Sequence, residues 1–299
     1  MTESYIIGVI VTFHPNPEDL KNLINSVHTQ VDQLFVIDNG SPNFPEEIGT
    51  SSITNLNILR NEKNLGLSTA YNQAIEHAKL RGATHLILFD QDSLPAEGMI
   101  ETLFHAMQTA NSDVLRAVAA GPKFHDKKGQ KLSPFVRIKD YHLERVDCEE
   151  GQVVEIDHLI SSGSLIDMRA FDQVGNFVDG LFIDCVDTEW CLRARAKNLL
   201  ILGVGSASMR HNIGEAYLKI FNRELPLHSP HRLYYQFRNQ LWIMKQPWVS
   251  WRWRIIDGIR CIKLMIVFIF FAPNKRKNLA YMMKGIRDGI LSRMGRLEI

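Results

Sequence analysis

The sequence predicts an α/β fold, a mostly parallel central sheet flanked by helices, and three observations predict it. Short β-rich apolar runs alternate with helical periodicity through the first 125 residues, and those runs end in polar clusters. The chain has 299 residues, 45% of them hydrophobic, which suffices for a large core. Ile6–Thr12 reads as the first strand, and Leu20, Leu23, Ile24 and Val27 then recur at helical spacing. Gln33–Asp38 reads as the second strand and Leu56–Arg60 as the third. Tyr71, Ala74, Ile75 and Ala78 share one helix face, and Gly82 can close that helix because glycine tolerates the left-handed backbone at a C-terminus. His85–Phe89 is the fourth strand, with Met99, Leu103 and Met107 on the helix after it. From Phe124 to Val154 the pattern weakens into Pro, Lys and mixed polarity, and reads as a loop-rich insertion.

Open parallel sheets bind ligands at the carboxyl ends of their strands. Polar residues gather there: Thr12-Phe13-His14-Pro15, Asp38-Asn39-Gly40-Ser41, the stretch from Asn61 to Gly66, and Asp90-Gln91-Asp92. The last is the sharpest signal. Residues i and i+2 of a strand face the same way, so Asp90 and Asp92 can face one divalent cation, and their oxygen atoms suit Mg²⁺ or Mn²⁺. The same two residues would also serve as an Asx turn opening the next helix. No G-x-G-x-x-G and no G-x-x-x-x-G-K-S/T is present. Phosphate charge must then be met another way, and a metal on Asp92 would meet it.

The four cysteines form no C-x-x-C pair, and the first residues lack the basic-then-apolar layout of a signal peptide, so a cytoplasmic setting is expected. The net charge of +1 hides an asymmetry: from Trp251 onward there are eleven Lys/Arg against three Asp/Glu, and the preceding body is acidic. The charge-free run Leu264 to Ala272 is much shorter than the ~20 apolar residues that span a bilayer. With Trp251, Trp253, Lys275, Arg276 and Lys277 around it, the segment reads either as one lying on an anionic leaflet or as a buried helix with a solvated basic face. The boundaries expected are a catalytic domain at 1–245, divided into halves at 1–123 and 124–245, and a helical amphipathic C-terminal extension at 246–299.

Six motifs in order resemble the family 2 inverting glycosyltransferases of the GT-A fold, and within them the bacterial rhamnosyltransferases. They are Thr12-Phe13-His14-Pro15 after a strand, Val36-Ile37-Asp38-Asn39-Gly40-Ser41, Asn64-Leu65-Gly66-Leu67-Ser68-Thr69-Ala70-Tyr71-Asn72, Asp90-Gln91-Asp92-Ser93, Ser162-Gly163-Ser164, and Phe182 to Arg193. The resemblance covers residues 5 to 245. It implies a donor site that includes Thr12, Asn64 and Gly66, with Asp38 bonded to the nucleotide base and Asp90 near the ribose. It also implies a metal on Asp92 bridging the diphosphate, and Asp187 as general base. The family usually has Glu before that Asp. Here Val186 stands there, which leaves Asp184 and Glu189 as candidates to orient the base. His211, in Arg210-His211-Asn212-Ile213-Gly214, sits where relatives have a histidine near the metal. Arg238, in a Tyr-Tyr-x-x-Arg-Asn helix, is placed to reach the phosphates. On chemistry alone Asp187 could instead be a helix-start carboxylate, and His211 a structural histidine.

The function implied is inverting transfer of L-rhamnose from dTDP-L-rhamnose to a hydroxyl of a lipid-linked cell-surface polysaccharide precursor, with Mg²⁺ or Mn²⁺ as cofactor, at the inner face of the cell membrane. One alternative is the same chemistry with another nucleotide sugar, UDP-hexose or UDP-galactofuranose. Another is a membrane-surface binding protein without turnover on the same fold. Nucleic acid is not an expected partner, because the basic tail suits lipid headgroups equally well, and a homo-oligomer is compatible with the chain.

Overall fold

The computed structural model describes residues 4–45, 48, 53–111, 116–125, 132–211, 216–220 and 223–298. Its elements, in chain order, are β1 (Ile6–Thr12), α1 (Pro17–Val27), β2 (Gln33–Asp38), β3 (Leu56–Arg60), α2 (Leu67–Leu80), β4 (His85–Asp90), β5 (Leu94–Pro95), α3 (Met99–Ala110) and β6 (Ala117–His125). There follow β7 (Leu132–Ser133), β8 (Phe135–Lys139), β9 (His142–Val146), β10 (Val153–Ile156), β11 (Leu165–Asp167), α4 (Met168–Val174), α5 (Val186–Arg195), β12 (Leu200–Arg210), β13 (Ala216–Ile220) and β14 (Arg223–Leu227). Three helices end the chain: α6 (Pro230–Met244), α7 (Trp251–Phe270) and α8 (Lys275–Ile290).

The main sheet has the order β10-β12-β6-β11-β4-β1-β2-β3, with short β5 and β7 paired onto β12 and β6. β1 is parallel to β2 and β4, β2 to β3, and β6 to β12, whereas β11 runs antiparallel between β4 and β6. All seven residues of β1 are buried, the pattern of a strand covered on both faces. One face carries α2, α4 and α5 through Tyr71, Ala74, Phe171 and Trp190; the other carries α1 and α3 through Leu20, Leu23, Ile24, Met99 and Leu103. In this register Thr12 lies beside Asp38 and Val11 beside Asp90, so the polar strand ends share one edge of the sheet.

Two stretches depart from the sequence reading. The expected loop-rich insertion contains the β8–β9 hairpin and β10, short half-exposed strands whose side chains give little alternation; its residues 126–131 lie outside the described residues. The second departure concerns the expected boundary at 245. It falls at a turn, yet the chain beyond it packs back onto what precedes it. α8 lies against α6, where Gly285 and Gly289 let the backbones meet: a Cβ at Gly285 would strike the Tyr234 carbonyl oxygen, and one at Gly289 that of Arg238. Tyr234 Oη donates to Asp288 Oδ2 at 3.0 Å, and the Gly295 amide donates to the Gly180 carbonyl at 2.7 Å. α7 is the outer layer, and among the described residues no helix is long and apolar enough to cross a membrane.

The α6–α8 contact yields a stability test. Gly285→Val should cost about 1–3 kcal/mol, the usual price of overpacking, read as a lower urea midpoint with unchanged slope. An unchanged midpoint would mean that the last helix is docked loosely.

Candidate active site

At the ends of β1 and β2, Asp38 is wholly buried. Its Oδ1 accepts from Thr12 Oγ1 at 3.2 Å and Ser41 Oγ at 2.5 Å, and its Oδ2 accepts from the Ser41 amide at 2.9 Å. Both oxygens thus bond within the rim, and the carboxylate braces the Thr12 and Ser41 hydroxyls from beneath it. Asn39 joins this edge to the next loop, accepting from the Leu65 amide at 3.0 Å and donating to Asn64 Oδ1 at 3.2 Å. Asn64 Oδ1 also accepts from the Gly66 amide at 2.9 Å. Gly66 has φ +91°, and a Cβ there would fall 2.6 Å from the Phe182 ring. Asn64 and Gly66 thus bring the start of α2 hard against the loop that leads into α5.

β4 delivers the acidic cluster. Asp90 Oδ1 accepts from Tyr71 Oη at 3.1 Å, and the Asp90 amide donates to Ser162 Oγ at 3.1 Å. Ser162 and Ser93 hydroxyls lie 2.6 Å apart, and Ser93 Oγ is 2.9 Å from His211 Nδ1 at the end of β12. His211 Nδ1 stands 3.6 Å from Asp92 Oδ1. Asn212, Ile213 and Gly214 of that motif lie outside the described residues. Gln91 turns away from the cluster and accepts the Phe13 amide at 2.8 Å, which ties the turn to β1.

One ligand atom from each of Asp90, Asp92 and His211 lies within 4.8 Å of the others, close to the span of about 4.2 Å across a cation with oxygen ligands at 2.0–2.1 Å. Two carboxylates and an imidazole suit a divalent cation, so this donor set fits the expected metal, with His211 beside the Asp90 and Asp92 pair. Burial pushes the Asp90 carboxyl up, and the charges of Asp92 and Asp187 add to that, against the opposing effect of His211. A cation would lower the same carboxyl.

Asp187 stands in the first turn of α5 with its side chain 24% exposed, presented by a bent loop in which Phe182, Asp184 and Cys185 all have positive φ (64°, 64° and 61°). Its Oδ1 accepts from the Thr188 amide at 2.6 Å and its Oδ2 from the Ser161 amide at 3.2 Å. Burial alone would raise this carboxyl; the facing His158 and the amides of Thr188 and Ser161 outweigh it and hold the group below the ordinary carboxylate range. Asp187 and the acidic cluster are linked, since Tyr71 bonds Asp90 and also meets the Ser161 side chain.

Three expectations change here. Asp184 is taken by Arg232, at 2.6 and 3.2 Å, and Glu189 is buried against Arg193 at 2.8 Å through both oxygens, so neither holds Asp187. His158 faces it instead, 3.9 Å away, a lone histidine that no motif singles out. Arg238, expected at the phosphates, is wholly buried and donates to the Gly295, Gly180 and Leu181 carbonyls. Its guanidinium frames the loop that presents Asp187. Tyr71 reads as core from its spacing, and only its hydroxyl reaches the site.

Residues 8–175 match the profile of the family described as Glycosyl transferase family 2. The chain belongs to that family. It is similar to the dTDP-rhamnosyl transferase RfbF of Shigella flexneri, 32% identical over 294 residues that cover 96% of each chain. It is also similar to the low-salt glycan biosynthesis hexosyltransferase Agl10 of Haloferax volcanii, 23% identical over 247 residues, 78% of this chain and 74% of that one. S. aureus TarS 1-349 in complex with UDP-GlcNAc shares the fold at TM-score 0.58 and 14% identity, over 96% of this chain and 81% of that one. So does GalNAc-T7 with UDP, GalNAc and Mn²⁺, at TM-score 0.60 and 14% identity; there the match covers 97% of this chain but 56% of the neighbour. The fold is GT-A, and the protein is a glycosyltransferase.

For this family 2 glycosyltransferase, Arg238→Lys should cost about 1–3 kcal/mol by leaving buried carbonyls unpaired, measured by urea unfolding, with nucleotide diphosphate affinity of the folded protein unchanged. Lost affinity at full stability would return Arg238 to the phosphates.

Proposed function

We propose that this glycosyltransferase moves L-rhamnose from dTDP-L-rhamnose, with inversion, to a hydroxyl of a lipid-linked polysaccharide precursor. The observation that carries the chemistry is the opposite tuning of two linked acidic groups on one rim. Asp187 is held ionised by hydrogen-bond donors, as a base requires, while Asp90, Asp92 and His211 converge as a donor set. The donor sugar is supported by the relative that matches along 96% of the chain.

In this reading the acceptor hydroxyl gives its proton to Asp187. Its oxygen bonds the anomeric carbon as that carbon's bond to the diphosphate oxygen breaks, and the bonding pair leaves with dTDP. Attack opposite the leaving group inverts the centre, so no nucleophilic side chain is needed. A Mg²⁺ or Mn²⁺ ion held by Asp92 and His211, with Asp90 in reach, would supply charge neutralisation for the departing diphosphate. Thr12, Asn64 and Gly66 form the donor edge, and Asp38 fixes the Thr12 hydroxyl there.

Membrane association at the inner face fits the outer surface of α7. Trp251, Ile255, Ile259, Ile262, Ile266 and Phe270 recur at helical spacing and are all exposed, Ile262 at 61% and Phe270 at 62%. Lys275, Arg276 and Lys277 follow at the start of α8. An apolar stripe beside cations suits an anionic leaflet that carries a lipid-linked acceptor.

Three outcomes are expected. With dTDP-L-rhamnose, UDP-glucose and UDP-galactofuranose offered alongside Mg²⁺ or Mn²⁺, diphosphate release should be fastest from dTDP-L-rhamnose and should vanish in Asp92→Ala; faster release from a UDP sugar would replace the donor. Asp187→Asn should keep donor affinity and lose transfer by about 10²–10⁴-fold, and near-normal transfer would remove Asp187 as base. Ile262→Glu should weaken co-sedimentation with anionic vesicles and leave donor binding intact; unchanged sedimentation would argue against this face.

A further inference from the structure

We propose that His158 is the positioning residue for the base, acting on Asp187 through the Thr188 hydroxyl. The inference rests on Asp187 being the base. His158 Nε2 is 3.9 Å from Asp187 Oδ1, too far for a hydrogen bond, but only 3.0 Å from Thr188 Oγ1, which lies 3.3 Å from the same Oδ1. Thr188 has one hydroxyl proton. To donate it to the carboxylate it must accept from His158, so the hydrogen on the imidazole belongs on Nε2. The resulting chain runs from Nε2–H to Oγ1, and from Oγ1–H to Oδ1.

Oδ1 is therefore held from two sides, by the Thr188 amide and the Thr188 hydroxyl. Oδ2 accepts only the Ser161 amide, which leaves it the more open oxygen for a substrate proton. The imidazole itself stands on a fixed platform. His158 forms a β-bridge with Val136 of β8, and its neighbour Asp157 accepts from the Ile138 amide at 2.7 Å and from Arg195 Nε at 2.8 Å.

Among the described residues neither Asp184 nor Glu189 provides this support, because each is committed to an arginine. A carboxylate neighbour would also push a base in the wrong direction, since like charge favours the protonated form. The charged and titratable groups facing Asp187 are His158 from the β10–β11 connection, Asp90 from β4, Tyr71 from α2, and Cys185 and Cys191 at and beyond the start of α5. Of these only His158 can carry positive charge. Removing it leaves burial and Asp90 to raise the Asp187 carboxyl. A base works ionised and its rate falls as pH drops through its pKa, so the acid limb of the profile must move to higher pH.

The test measures transfer from dTDP-L-rhamnose against pH for wild type, His158→Ala, His158→Gln, Thr188→Val and Asp187→Asn. His158→Ala should lower kcat by about 10–100-fold at unchanged donor KM and shift the acid limb upward. Gln, which keeps an N–H donor, should recover part of kcat. Thr188→Val cuts the same bridge from the other side and should reproduce the limb shift even where His158→Ala fails to fold. A wild-type kcat and pH profile in Thr188→Val, with Asp187→Asn inactive, would overturn the role of His158 and leave the base in place. Transfer surviving in Asp187→Asn would remove the base itself, and this inference with it.

Discussion

The arrangement depends on a buried arginine and its neighbour. Arg238 and Asn239, adjacent on α6, donate between them to the carbonyls of Gly180, Leu181, Ile183 and Asp184, the loop that turns the chain into α5. That loop holds three non-glycine residues at positive φ within four positions, a conformation that costs of order 1–3 kcal/mol per residue and persists only where its surroundings over-determine it. A guanidinium is suited to the task, since its planar fork can meet several carbonyls that a lysine would reach one at a time. The same side chain bonds Gly295, so the loop carrying Asp187 is fixed from behind by the last residues of the chain. Hence the chain after α6 joins the body that carries Asp187 through α8, while the outer face of α7 stays exposed.

The chemistry follows from how the rim distributes charge. Three carboxylates within mutual electrostatic reach cannot all stay ionised cheaply in a partly buried site. Donors are concentrated on Asp187, while the raised Asp90 sits with Asp92 and His211, where a cation would restore its charge. Asp187 and the Asp90–Asp92–His211 cluster thus remain electrostatically distinct although they are joined through a single tyrosine. Tyr71 is buried to its hydroxyl and cannot shift without disturbing α2, so it holds the spacing between the two.

What the sequence disclosed divides along physical lines. Parallel strands covered on both faces are continuous apolar runs, so β1, β2 and β4 were legible almost to the residue, as were the helix faces of α1 to α3. Asp90, Asp92, His211 and Asp187 stood out as motif residues, and the structure brings the first three together. Arg238 was legible as part of a motif but not in its role: a charged residue reads as a ligand contact until burial shows that its partners are carbonyls. The bracing around Asp38 was hidden as well, since it depends on Thr12 of the neighbouring strand. His158 was hidden because its importance comes from a long-range bridge to β8, which no local pattern encodes. The C-terminal helices read as an appendage because their apolar content was visible while the glycine contacts that seat α8 were not.

Val186 stands where the family resemblance leads one to expect an acidic residue, and this alters what can tune Asp187. A carboxylate neighbour on the same helix turn would tune Asp187 locally, independent of the rest of the chain. His158 instead hangs from the edge where β10 leads on to β11, backed by Asp157 and bridged to the first strand of the β8–β9 hairpin. That hairpin reaches out to Tyr141, whose ring packs edge-on against Trp251 at the head of α7, 5.2 Å between centroids. One continuous set of contacts therefore runs from the exposed helix through the hairpin to the histidine facing the base. In this fold Asp187 is braced from the hairpin side, and the Asp90–Asp92 cluster is braced separately through Ser93, Ser162 and His211.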